Sequence, residues 1–212
     1  MAQDLIILGG GVHGLEMAEM VERINAVRPL WNLRGYLVPA GRAEAAGGQR
    51  HGYPVLGTSA DLERFPDAVF VPDNEFHDPV KLPAERMVSI VDPSCFVPRS
   101  ARVGRGCVIY PHCFLGHNVS LGDRVFVLAG CTINHDDCLE DNVVLASGVT
   151  LAGGVRVERG CYLGQGCCVR QLLKVGAGSL IGMGAVVIGD VAPDSVMVGN
   201  PARLLRKRDA AG

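Results

Sequence analysis

The chain has 212 residues, 48% of them hydrophobic and only 5% aromatic, with a formal net charge of −2. That balance excludes the basic face a nucleic-acid binder needs, and no apolar run approaches the ~18 residues required to span a bilayer. Few aromatics and 28 glycines suit a thin, repetitive architecture better than a thick layered core.

The opening MAQDLIILGGG carries an aspartate and no basic n-region, so it does not read as a signal peptide. Eight cysteines in such a chain argue against a disulfide framework, and a cytoplasmic location is expected. The stretch DLIILGGGVHGLEMAEMVERI reads as a strand, a glycine turn and an amphipathic helix. Gly9-x-Gly11-x-x-Gly14 matches the dinucleotide fingerprint in that context, where glycines let a phosphate approach the helix N-terminus. The bland alternative is a tight turn without a ligand. His13, inside the turn, is either a cap or solvent-facing residue, or a contact to a ligand's phosphate or sugar.

Strands at about 33–38 and 68–71 follow, with HGYPVLGTSADLERF supplying a loop and a helix between them. Together they predict a small Rossmann-like βαβαβ domain over residues 1–85. The acidic ribose ligand expected after its second strand is missing, because that strand runs into Pro39-Ala40. This argues against binding of a whole NAD.

From Val91 to Val187 every sixth residue is Val, Ile or Leu, without interruption. A helix cannot keep residues six apart on one face. A strand can, if the chain turns a corner every six residues. This is the hexapeptide repeat of a parallel β-helix, with three hexads to an 18-residue coil. The predicted fold is mainly β, with a β-helix over residues 86–212. Cys95, Cys107, Cys113, Cys131, Cys161 and Cys167 recur at the fifth hexad position and read as small buried hydrophobes. No Cys-x-x-Cys pair supports a metal site. Gly104, Gly116, Gly122, Gly164, Gly176 and Gly182 follow the aliphatic residue, where a tight corner with unusual φ is expected.

TINHDDCLED, residues 132–141, breaks the pattern. Residues 18 apart stack, so His135 lies between His117 and Gly153, and Asp136 lies above Asn118. A histidine can take a proton from an attacking nucleophile, a carboxylate can fix its tautomer, and a backbone N–H can hold an oxyanion. Asp137 takes a fifth position. It either points to solvent or an interface, or is hydrogen-bonded by the cluster; the second is favoured, making it a support of the site with His117 and Asn118.

The hexads, INHDDC and the ending VMVGNPARLLRK resemble the hexapeptide acyltransferases. Together with LGGGVHG and GYPVLG, the chain is similar over essentially its whole length to the PglD/NeuD-type nucleotide-sugar and sialic-acid acetyltransferases. The resemblance implies a left-handed coil and a homotrimer with active sites between subunits. It implies acetyl-CoA as co-substrate, with no metal, and a nucleotide-linked amino sugar held at Gly11, His13 and Gly14. His135 would match the general base and Asp136 its partner. Gly153 would match the donor to the acetyl carbonyl, and Asn200, Pro201, Ala202 and Arg203 the segment lining the CoA pocket. Many members carry cysteine at Asp137 and histidine at Val144, and acidic residues where Pro39-Ala40 stand. The basic residues Arg203, Arg206, Lys207 and Arg208 fit CoA phosphates or a solvated C-terminus. Three alternatives are a sugar O-acetyltransferase, a zinc carbonic anhydrase using His112, His117 and His135, and a trimeric scaffold without activity.

Overall fold

The computed structural model describes residues 2–76 and 82–208. The chain divides into two compact units, Met1–Pro93 and Ser94–Gly212.

The first unit is built from β1 (Gln3–Leu8), α1 (Val12–Val27), β2 (Trp31–Val38), β3 (Gln49–Arg50), β4 (Tyr53–Thr58) and β5 (Val69–Pro72). The sheet order is β3-β4-β2-β1-β5, parallel except for β3 at the edge. The central strand β1 is the apolar run Leu5 to Leu8, fully buried, as a strand covered on both faces must be. Helix α1 buries Met17, Ala18, Met20, Val21 and Ile24. Asn25 ends it: its amide donates to Trp31 O at 2.7 Å and accepts from the Leu30 and Trp31 amides at 3.0 Å, turning the chain into β2.

One sequence expectation needs correction here. The segment expected as a loop and a helix contains a strand, β4, which pairs in parallel with β2. Only Ser59–Arg64 is helical, as a 3-10 turn closed by a Thr58/Asp61 capping box. Pro66 follows two residues later and leaves no room for an α-helix.

The second unit is a parallel β-solenoid of two-residue strands in three sheets. Ser120 pairs with Arg102 and Cys138, Phe126 with Val108 and Val144, and Thr132 with Phe114 and Thr150, always 18 residues apart. Every aliphatic hexad residue from Ile109 to Val187 is buried. A strand, Ser195–Val198, ends the stack and folds back antiparallel on Arg203–Lys207. Among the described residues no helix is long and apolar enough to cross a membrane.

The corners differ from the sequence reading in one respect. The left-handed residue is the fourth of each hexad: positive φ recurs at every sixth position from Gly106 to Gly184, without a gap. Glycine fills most of these places, and Asn118, Asp136 and Asn142 are among the exceptions. The glycines after the aliphatic residue have no such φ. They are required by crowding: a Cβ on Gly116 would lie 2.5 Å from His135 N and 2.7 Å from Asn134 C.

The aliphatic column has no slack, because each member touches its equivalents in the coils above and below. Leu145→Ala, at a fully buried site between Val127 and Leu163, is expected to cost about 2–5 kcal/mol, measured as the shift in urea unfolding.

Candidate active site

Each of the four residues Asn134 to Asp137 reaches a neighbouring coil, which explains why the repeat carries them together. Asn134 donates from its side chain to Leu151 O at 2.6 Å. The His135 ring lies against Gly153: a Cβ there would be 2.6 Å from both Cε1 and Nε2. Asp136, with φ of 62°, is the corner residue, and its carboxylate turns back so that Oδ2 meets His135 Nδ1 at 2.9 Å. Its other oxygen accepts from Asn118 Nδ2 of the coil below at 2.8 Å. The Asn118 bond first, and then the imidazole, hold the Asp136 carboxyl below its ordinary range. An ionised Asp136 accepts only, so the proton of His135 sits on Nδ1 and the Nε2 lone pair is free.

The remaining predicted partners separate. His117 Nδ1 bonds Ser100 Oγ at 2.9 Å and has no hydrogen bond to Asp136. Asp137 does not take the place expected for it. It points neither to solvent nor into the His135 cluster but into the solenoid, with no exposed surface. Its Oδ1 accepts from Val155 N at 2.7 Å, and its Oδ2 has no partner among the described residues. Desolvation pushes its carboxyl up to about 6, opposed by the backbone bonds and the nearby imidazole.

Gly153 has an unstrained φ, and among the described residues its N–H meets no acceptor. The Asn200–Ala202 turn bonds to the strand carrying Val186: Ala202 N donates to Val186 O at 2.8 Å, and Val186 N to Gly199 O at 3.0 Å. That strand lies above Thr132, Thr150 and Cys168 in one sheet. The turn therefore tops the face that carries His135, roughly 14 Å of strand spacing above it. The outer side of this sheet exposes Phe96 and Phe114, stacked with ring centroids 5.2 Å apart. Among the described residues no three His, Cys, Asp or Glu side chains converge as a metal ion would require.

In the first unit a cleft opens at the C-terminal ends of the parallel strands. Gly9, Gly10, Gly11, Val38, Pro39, Arg42, Arg50, Asp73 and Glu75 line it. Gly11 is the N-cap of α1 and leaves the first helical turn without a side-chain cap. Gly14 packs instead beneath the turn, 3.5 Å (as a Cβ) from Gly9 C and Asp73 Oδ2. His13 faces Glu16 at 3.4 Å. Arg50 bonds Gly10 O across the cleft mouth. Asp73 is nearly buried, donates its backbone N–H to Leu8 O at 2.8 Å, and is pushed up to about 6 by desolvation. The sequence reading missed Arg42, Arg50, Asp73 and Glu75. The acidic pair follows β5 directly, and the rule that ligands meet the carboxyl ends of parallel strands could have found it.

Comparisons with known proteins agree with this architecture. The family described as "Bacterial transferase hexapeptide (six repeats)" matches residues 100–135. No match is found among the curated proteins. Among solved structures, the acetyltransferase domain of PglB from Neisseria gonorrhoeae is 27% identical, with a TM-score of 0.81 over 96% of this chain and 100% of that one. It has also been solved in complex with acetyl coenzyme A, at 26% identity over 97% and 100% of the two chains and a TM-score of 0.81. A histidine-to-alanine mutant of GDP-perosamine N-acetyltransferase from Caulobacter crescentus, in complex with CoA and GDP-perosamine, shares the fold. It has a TM-score of 0.83 and 21% identity over 96% and 97% of the two chains.

Two outcomes follow from this geometry. Gly153→Ala strains no backbone but places a methyl in the imidazole, so the variant is expected to fold with the His135 ring displaced, as a crystal structure would show. The native Asp137 carboxyl has a raised value, so it binds protons more tightly than in the unfolded chain. Its contribution to stability is complete below about 3.8 and is lost as pH rises through about 6. Asp137→Asn is therefore expected to match the wild type near pH 4 and exceed it by roughly 2–3 kcal/mol near pH 8, read from denaturant unfolding.

Proposed function

We propose, for a chain that belongs with the PglD-type hexapeptide acetyltransferases, that it transfers the acetyl group of acetyl-CoA to the amine of a nucleotide-linked amino sugar. The observation that carries this reading is the His135 imidazole, lying on Gly153 with Nδ1 tied to Asp136 and Nε2 free. The acetyl-CoA complex of the PglB domain supports the donor, and the GDP-perosamine complex supports the class of acceptor.

The amine would attack the thioester carbonyl while His135 Nε2 takes its proton. Asp136 stabilises the resulting imidazolium without accepting the proton. The tetrahedral oxyanion would be met by the Gly153 N–H, which no acceptor among the described residues occupies. Collapse forms the amide, breaks the C–S bond and releases CoA as its thiol. Much of the rate would come from holding the two substrates together.

The Asn200–Ala202 turn, with Arg203 beside it, would meet CoA phosphates if the pantetheine arm ran up the His135 face. Arg206, Lys207 and Arg208 follow on the neighbouring sheet, whose Ser195–Val198 strand they pair with or extend. The first-unit cleft would hold the nucleotide, with Arg42 and Arg50 near its phosphates and Asp73 and Glu75 able to accept ribose or base protons. Such a domain would be Rossmann-like in use. The open Phe96–Phe114 face, 56% and 41% exposed, supports a homotrimer in which a second subunit closes over His135.

His135→Ala is expected to lower kcat/KM by roughly 10²–10⁴, assayed as CoA release. Near-normal turnover would remove His135 as the base. Thermal-shift screening with UDP-, GDP-, CMP- and dTDP-linked amino sugars should show stabilisation by one nucleotide class, increased by acetyl-CoA.

A further inference from the structure

Asp137 sits where the repeat elsewhere places thiols that perform a specific task. Cys95, Cys107, Cys113, Cys131 and Cys161 each donate S–H to the carbonyl fifteen residues on, in the coil above. The acceptors are Tyr110, Gly122, Leu128, Ala146 and Gly176, at 3.0–3.3 Å. A thiol here satisfies a corner carbonyl that faces into the solenoid.

For Asp137 the residue fifteen on is Ala152, whose carbonyl has no donor among the described residues. Other corners supply a second donor. Val149, Cys167, Ser179 and Ala185 direct their N–H to the carbonyl three residues back, at 3.2–3.4 Å. Val155 does not, because its N–H goes to Asp137 Oδ1 at 2.7 Å. Asp137 thus takes up the N–H whose equivalents at Val149, Cys167, Ser179 and Ala185 reach the carbonyl of their own corners. It keeps a fully buried Oδ2, unpartnered among the described residues, at the thiol's place in the repeat.

We infer that Asp137 works as the neutral acid, donating from Oδ2 to Ala152 O, and is thereby a positioning residue for the Gly153 N–H. The carbonyl of Ala152 and the N–H of Gly153 belong to one planar trans peptide and point in opposite directions. A bond that holds the carbonyl inward holds the N–H outward, beside the His135 ring. An ionised carboxylate would face that carbonyl oxygen repulsively and release the peptide. The charged groups that act on Asp137 are its neighbours His135 and Asp136; burial disfavours its ionisation, as the carboxyl's rise to about 6 reflects.

This inference rests on the proposed acetyl transfer for its kinetic consequences, and one structural readout is independent of it. Asparagine reproduces the acid, with an NH₂ to donate to Ala152 O and an oxygen to accept from Val155 N. Asp137→Asn and Asp137→Cys are expected to keep kcat within about twofold of wild type below pH 6. Wild-type kcat, divided by that of Asp137→Asn, should fall as pH rises toward about 8. Asp137→Val should fold, because Val119 and Val155 hold the same place in the adjacent coils. Near neutral pH it should be at least as thermostable as wild type. Below pH 6, where the wild-type acid is neutral, its kcat should fall about 10-fold short of wild type with KM for acetyl-CoA little changed, because the Val155 N–H it frees can offer Ala152 O only the long 3.2–3.4 Å bond seen at other corners.

A role in stability alone would couple the two losses. Full kcat in Asp137→Val below pH 6, or loss of activity there in Asp137→Asn with the fold intact, overturns the inference. A crystal structure grown below about pH 6 should place Oδ2 within hydrogen-bond distance of Ala152 O, and an Oδ2 turned elsewhere overturns it too. If no nucleotide amino sugar is acetylated by the wild type, the functional reading fails while this contact is still decided by the crystal.

Discussion

The structure depends on one constraint: backbone hydrogen bonds lock the solenoid's strands over those eighteen positions away, until the last coil, where Val175 meets Val191 and Leu180 meets Val196. The ladder is continuous only if the chain bends by the same amount every six residues, and the bend is made by a left-handed residue at the fourth hexad position. Aliphatic packing fills the interior, but the ladder sets the spacing. Two side chains one coil apart are brought within reach whatever their chemistry, so any polar column on the wall becomes a preassembled cluster.

The proposed site is such a cluster, and it exploits the corner. A residue with positive φ points its side chain differently from its neighbours, and Asp136 is one of the six non-glycine residues at these corners. Its carboxylate returns to His135 and is gripped from below by Asn118. Gly116 and Gly153 are both compelled by His135, the first by its backbone and the second by its ring. The histidine is thus held by two absences of side chain and one carboxylate. Such positioning comes from rigid strand ends, as precise sites require.

The fifth-position residues carry a second polar layer inside the solenoid. Buried thiols there hydrogen-bond corner carbonyls that would otherwise be orphaned, which costs free energy in an apolar interior. Asp137 stands in that layer with one oxygen engaged. With its other oxygen donating to Ala152 O, as inferred, it would link the two sides of the Ala152–Gly153 peptide, since a bond to the carbonyl inside constrains the amide outside.

Periodicity was enough to reveal the solenoid, its coil length and its interior column, because a six-residue repeat has one geometric solution for L-residues. It also placed His135 between His117 and Gly153, since stacking follows from counting. Counting carries no φ and no side-chain direction. It could not tell that glycines at the second hexad position answer to crowding while those at the fourth answer to φ. It could not tell that Asp137 turns inward to Val155, or that His117 turns to Ser100. In the first unit the strand β4 escaped notice because YPVLGT owes its conformation to pairing with β2, a partner remote in sequence. Arg50 and Asp73 joined the glycine turn only when the parallel sheet aligned the ends of its strands. The local repeat is written in the chain, whereas directions of side chains and meetings of distant residues are settled only when packing and hydrogen bonding choose among the conformations each residue could adopt.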